Sequence, residues 1–147
     1  MPLAPPPFDS NGEIVPHDHD GILPDDGIIR RISEHWVVYD QKLGHKRISS
    51  MAFKASSVPN GGMSVDLQRE IEEAGLDAKV YVCSPKWIGS VHWVARDIRP
   101  AGFQIGFHPL AINPYHGEIW GNFTKRQERH LRSVCKWFVP IPEVAIG

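Results

Sequence analysis

Apolar residues change their spacing several times along this chain, and each spacing predicts an element. The isoleucine-rich run Ile28-Ile-Arg-Arg-Ile32 suits a strand entering a core, and His35-Trp-Val-Val-Tyr-Asp40 is dense in β-branched and aromatic residues and predicts a second strand. A turn follows over residues 42–45, then a new segment over 47–53 that runs into a Pro59-Asn-Gly-Gly62 turn. Leu67, Ile71 and Ala74 share one helical face. They predict a helix over 66–74, capped by Ser64 or Asp66 and ended by Gly75. Strands are expected over 79–83, stopped by Pro85, and over 103–107 after a turn or a single helical turn at 97–102, while residues 88–98 suit either a strand or a helix, with the strand favoured. In His116-Gly-Glu-Ile-Trp120, alternation puts His116, Glu118 and Trp120 on one side of a strand. Thr124-Lys-Arg-Gln127 is a capping box, and Leu131, Val134, Cys135 and Phe138 fall at i, i+3, i+4 and i+7. The pattern predicts an amphipathic C-terminal helix stopped by Pro140. Together these elements predict an α+β fold, a mostly antiparallel sheet with two packed helices.

Composition adds one division. Residues 1–26 hold six of the 13 prolines and six acids (Asp9, Glu13, Asp18, Asp20, Asp25, Asp26) with no Lys or Arg. They predict an acidic N-terminal arm, either a solvated tail or a cover folded over a basic face. Residues 27–147 then form a single globular domain with 16 basic and 11 acidic residues. Within the arm, Pro16-His-Asp-His-Asp-Gly21 has metal-friendly side chains but reads as an ordinary loop, because ordering it would cost too much entropy. At 147 residues the chain suits one core, and no apolar run approaches the roughly 18–20 residues of a membrane helix. The two cysteines, Cys83 and Cys135, have no CxxC spacing and read as buried, inert thiols in a reducing cytoplasm.

The chemistry concentrates in residues 107–121, where two histidines, a glutamate and an asparagine are stiffened by Pro109 and Pro114. His116 and Glu118 project to the same side of their strand. His108 lies across the proline-shaped connection, on a strand expected beside theirs. Such a trio can work as acid and base or hold a divalent metal. His116-Gly-Glu118 has the His-x-Glu spacing of zinc deaminases, but the Pro-Cys-x-x-Cys completing that site is missing. Arg30 and Arg31 point to opposite faces. The inward one needs a partner, with Glu118 or an anionic substrate as candidates.

The order Arg31, then Ser49 or Ser50, then Glu118 resembles that of ADP-ribosyltransferase-like folds. That resemblance implies NAD as the dinucleotide, held by Arg31 and a serine, with Glu118 catalytic. Asn113 completes the candidate substrate-binding set. On the predicted last helix, Lys125, Arg129, Arg132 and Lys136 recur at i, i+4, i+7 and i+11, a spacing that could follow a phosphate backbone. Trp87, Trp93 and Trp120 would add base stacking if exposed.

Ser49-Ser-Met-Ala-Phe53, Met63-Ser-Val65 and Asn113-Pro-Tyr-His-Gly-Glu-Ile119 resemble a group of small bacterial proteins that share Ser-Ser-x-x-Phe, Met/Leu-Ser-Val and Asn-Pro-x-His-x-Glu/Val-Ile. The resemblance spans about residues 28–140 and implies where to look, not which reaction to expect. The leading expectation is a cytoplasmic enzyme, of the kind found among toxin and defence proteins. It would act on a phosphate-bearing substrate, a nucleotide or nucleic acid, through a His/Glu/Arg/Ser pocket, with a divalent metal or NAD as cofactor classes. The alternative is a non-enzymatic nucleic-acid-binding or protein-inhibitor/immunity module that uses the basic C-terminal helix. Neither reading involves a membrane.

Overall fold

The computed structural model describes residues 2–56 and 61–147. The Pro59-Asn60 half of the expected turn therefore lies outside the described residues. The fold is α+β. Strands β1 (Gly27–Ser33), β4 (Met63–Leu67), β5 (Trp87–Val94), β6 (Gln104–Phe107), β7 (His116–Trp120) and β8 (Lys136–Val139) form one antiparallel sheet in the order β6-β7-β4-β1-β5-β8. A smaller sheet holds β2 (Val37–Asp40), β3 (His45–Ile48) and β9 (Val144–Ala145).

Alternation along the central strands gives the large sheet two apolar faces. One face buries Ile28, Ile32, Val65, Val91, Trp93, Ile105 and Ile119 beneath the small sheet, the 3₁₀ turn Ser50–Phe53, and helices α3 (Ala95–Ile98) and α4 (Lys125–Val134). The other buries Ile29 against Ile71 of α1 (Gln68–Glu73), Ala78 of α2 (Ala78–Tyr81), Val82 and Phe138. No helix among the described residues is long and apolar enough to cross a membrane.

Five local expectations need correction. Asp66 does not cap a helix; it lies in β4 opposite Ile29 and His116, and α1 starts two residues later without a side-chain cap. Residues 79–83 are not a strand. The Asp77 carboxylate accepts the backbone N–H groups of Lys79 (2.9 Å) and Val80 (3.3 Å), and this cap turns the β-branched run into α2. Residues 88–98 divide into β5 and α3. Finally, α4 begins with the expected capping box but ends at Val134, with Cys135 extended (φ −73°, ψ 156°). Leu131 and Phe138, read as one helical stripe, belong to opposite faces of the sheet, because residues 136–139 pair with β5 as β8. Cys83 is exposed rather than core, and both thiols are free. Cys135 is buried, and that burial pushes its thiol up to about 12.

The acidic arm covers the sheet's edge. The outer N–H groups of β6 would otherwise be unpaired. Ile105 donates to Asp18 Oδ1 (2.9 Å), Phe107 donates to His17 Nε2 (3.1 Å), and the Ile105 carbonyl accepts the His19 N–H (2.8 Å). Asp18, Asp25 and Asp26 pair with Arg99, Arg96 and Arg69. The segment read as an ordinary loop is therefore the strap on β6.

Candidate functional site

Strand pairing sets the site. Ser64 lies opposite Glu118 and Asp66 opposite His116, so these four side chains start from the same side of the sheet. On the other flank of β7, Gly106 faces Glu118, and the ladder continues as the His108 N–H donates to the His116 carbonyl (3.0 Å). His108 and His116 are thus neighbours, with ring centroids 5.2 Å apart. The proline-bracketed connection between them is held by reciprocal Leu110 and Asn113 backbone hydrogen bonds.

His108, His116 and Glu118 each bring a nitrogen or carboxylate oxygen within 4.8 Å of the others, as their spacing predicts. His116 Nδ1 lies 2.7 Å from the His108 carbonyl oxygen, so this nitrogen carries the proton and Nε2 keeps its lone pair. Burial lowers the pKa of His116, with the hydrogen bond to His108 opposing, so the ring is neutral at pH 7. Burial raises the pKa of Glu118; the charge of His108, the Gly62 N–H and the charge of Arg30 oppose that shift. Gly62 also leaves the carboxylate room, since a Cβ there would stand 2.6 Å from Glu118 Oε2.

A cleft of about 410 Å³ opens beside the trio, where β1 and β4 part. The two strands pair only at Ile28–Leu67 and Ile29–Asp66, and beyond this the Arg30 side chain fills the gap. Its Nε donates to the Ala52 carbonyl (3.0 Å) and Nη1 to the Ser64 carbonyl (2.9 Å), while the guanidinium lies 4.7 Å from the Trp36 ring centroid. Arg30 is therefore the inward arginine. It meets carbonyls and an indole rather than a paired carboxylate, and burial lowers its pKa to about 10, so it stays charged at neutral pH.

Arg31 grips Asp66 with two nitrogens (2.8 and 3.0 Å). Asn113 donates to the same carboxylate (2.7 Å) and accepts from the Tyr81 hydroxyl (2.8 Å). Trp87, Leu110 and Ile112 complete the wall, and His116 reaches the lining from the trio. Arg31 is thus an ion-pair partner of Asp66 whose charge still faces the cleft.

The predicted residues divide into three places. Arg31, Asn113 and His116 share the cleft, with His108 and Glu118 grouped behind His116. Ser49 instead caps the 3₁₀ turn at Ser50–Phe53 through Met51 N–H (3.2 Å). Ser50 lines a separate cavity of about 240 Å³ with Lys54, Lys125 and Arg129. Neither serine joins Arg31 and Glu118, so the geometry does not reproduce the triad that the ADP-ribosyltransferase resemblance implies.

The charge stripe is also divided. Lys125 and Arg129 are exposed on α4. Lys136 lies on β8, and Arg132 is half-buried, with its guanidinium bonded to the Ile48 and Ile146 carbonyls and stacked on Phe53. Trp93 and Trp120 are buried, which leaves Trp87 as the partly accessible indole of the three.

Sequence reasoning did not assign Asp66, Tyr81 or Arg30 to the site. Asp66 precedes a helix and looked like its cap, and Tyr81 looked like a strand residue. The Arg-Arg pair was the one available signal for Arg30. No family model matches the chain, and neither characterised proteins nor solved structures provide a match.

Proposed function

We propose that the protein is an enzyme acting on a small phosphate-bearing substrate, with a nucleotide as the class that best suits the cleft. One observation carries this reading: His116 both lines the cleft and belongs to the His108–His116–Glu118 group. A ligand in the cleft would therefore meet a neutral imidazole backed by a carboxylate of raised pKa, the pairing that proton transfer near neutral pH requires. Arg30 and Arg31 outweigh Asp66 in charge at the same wall and favour an anionic group. Trp87 and Tyr81 offer flat surfaces for a base. The N–H groups of Arg30 and Arg31 that are not given to carbonyls or Asp66 are the natural phosphate donors.

The test begins with calorimetric titration of nucleoside mono-, di- and triphosphates into the full chain, followed by assay of any bound nucleotide for turnover. Arg31→Ala and Trp87→Ala are expected to weaken binding by about tenfold or more. Glu118→Gln is expected to retain binding and lose turnover by about 10²-fold or more. A Glu118→Gln protein with wild-type turnover, or a cleft that takes no nucleotide, defeats the reading.

The cavity lined by Lys54, Lys125, Arg129 and Arg132 favours a second reading, a nucleic-acid-binding module. Reversing Lys125 and Arg129 to Glu separates the two. A binder loses affinity and the steepness of its salt dependence, whereas an enzyme working in the β1–β4 cleft keeps its turnover.

A further inference from the structure

Two side chains of the trio hold polar atoms that the fold leaves unused. His108 Nδ1 and Glu118 Oε2 are closed off from solvent and have no hydrogen-bond partner among the described residues. An unpartnered buried polar atom has lost its water without gaining a partner, so a ligand that engages both recovers that loss. The third member is prepared in a different way. Its Nδ1–H is committed to a backbone carbonyl, which orients the ring and leaves Nε2 as the free donor atom. A metal-binding histidine is usually held by this kind of outer hydrogen bond.

The arm's histidines provide the contrast. His17 uses Nδ1 on the Val15 carbonyl and Nε2 on the Phe107 N–H, and His19 uses its two nitrogens on the Ala4 carbonyl and the Gly21 N–H. They have no lone pair to spare. Among the described residues, the trio is the one place where three or more His, Cys, Asp or Glu ligand atoms converge.

We infer that His108, His116 and Glu118 bind one divalent first-row transition-metal ion of the zinc class. Two imidazoles and one carboxylate suit such an ion, whereas calcium and magnesium favour shells made mostly of oxygen. Two ligands of a tetrahedral ion, each about 2.1 Å from it, stand roughly 3.4 Å apart. Side-chain torsions must therefore close the present spread of up to 4.8 Å by up to about 1.4 Å. Three protein ligands leave a coordination position open for water or substrate, as in catalytic rather than structural zinc sites. The inference takes the trio as the reactive end of the cleft, but metal binding needs no nucleotide and is tested without one.

Tag-free full-length protein, stripped with a chelator, is titrated with Zn²⁺ in a calorimeter at pH 7.5. The expected result is one ion per chain with a Kd of about a micromolar or tighter, weakening as the pH is lowered to 5.5 because the ligands must be deprotonated. Glu118→Gln and His108→Asn should each weaken binding by at least about tenfold. Glu118→Gln nearly preserves side-chain shape. A Zn²⁺-dependent rise in Tm for the wild type that is lost in this variant reads the same site even if His108→Asn folds poorly. Absence of Zn²⁺ binding, or binding of equal strength in both variants, overturns the inference. A failed zinc titration with intact nucleotide turnover would leave acid–base chemistry in the cleft standing.

Discussion

Glu118 and His116 bear opposite consequences of the same burial. For Glu118, burial raises the folded-state pKa, so its contribution to stability is full below the unfolded value and is lost as pH rises through the folded one. For His116, burial lowers the folded-state pKa, so its contribution is present above the unfolded value and is lost as pH falls through the folded one. Glu118→Gln removes the first dependence without emptying the space. Measured by thermal melts in metal-free buffer, the variant should gain on the wild type as pH rises from 4 to 8. A stability gap independent of pH would mean that the carboxylate is as well solvated folded as unfolded. A loss of several kcal/mol at neutral pH would instead make Glu118 a structural partner and sink its assignment to the chemistry. For His116→Gln, the variant's disadvantage should narrow as pH falls below about 6.5, because only the wild type must then keep a histidine uncharged.

Among the elements, the legible ones had local causes. The box Thr124–Gln127 starts α4 with both reciprocal hydrogen bonds formed, and the alternation of β7 delivered His116 and Glu118 to one side. Thr124→Ala should lower stability by about 1 kcal/mol in a denaturant titration, and Asp77→Ala by a similar amount through α2. The misread elements were decided by pairing partners that lie far away in sequence. Residues 131–138 satisfy a helical period, but β5 supplies a partner for Lys136–Val139, and the ladder prevails over the period. Phe138→Ala should therefore cost about 3–5 kcal/mol, acting on the α1–α2 side of the sheet, while exposed Lys136→Ala should cost under about 0.5 kcal/mol. Equal losses would contradict the strand. The site was legible to the same degree. His108, His116 and Glu118 are close in sequence and could be grouped, whereas the Arg31–Asp66–Asn113–Tyr81 network joins four separate segments. No spacing rule reveals such a network.

At the scale of the whole molecule, the acidic arm and the basic body explain each other. Six acids without a cation in residues 1–26 could have meant a solvated tail, but three of them reach Arg69, Arg96 and Arg99, and the arm's backbone and side chains occupy the open edge of β6. The ion pairs are partly exposed and each contributes little, about 0–1 kcal/mol. The larger effect is on the edge itself, because β6 without the arm presents free N–H and C=O groups to any other strand. Deleting residues 1–20 should lower Tm and shift the protein to earlier elution in light-scattering chromatography, more so at higher protein concentration. The triple change Asp18, Asp25 and Asp26 to Asn should do much less, since it removes charge while leaving the His17 and His19 contacts to β6 in place. The arm also packs His17 against Trp120, two residues along β7 from Glu118, with the rings tilted by 45° and their centroids 5.2 Å apart. Its removal should therefore be felt in the trio. If the truncated chain elutes as the full chain does and binds Zn²⁺ with unchanged affinity, the arm neither protects the edge nor supports the site, and the strap reading is wrong on both counts.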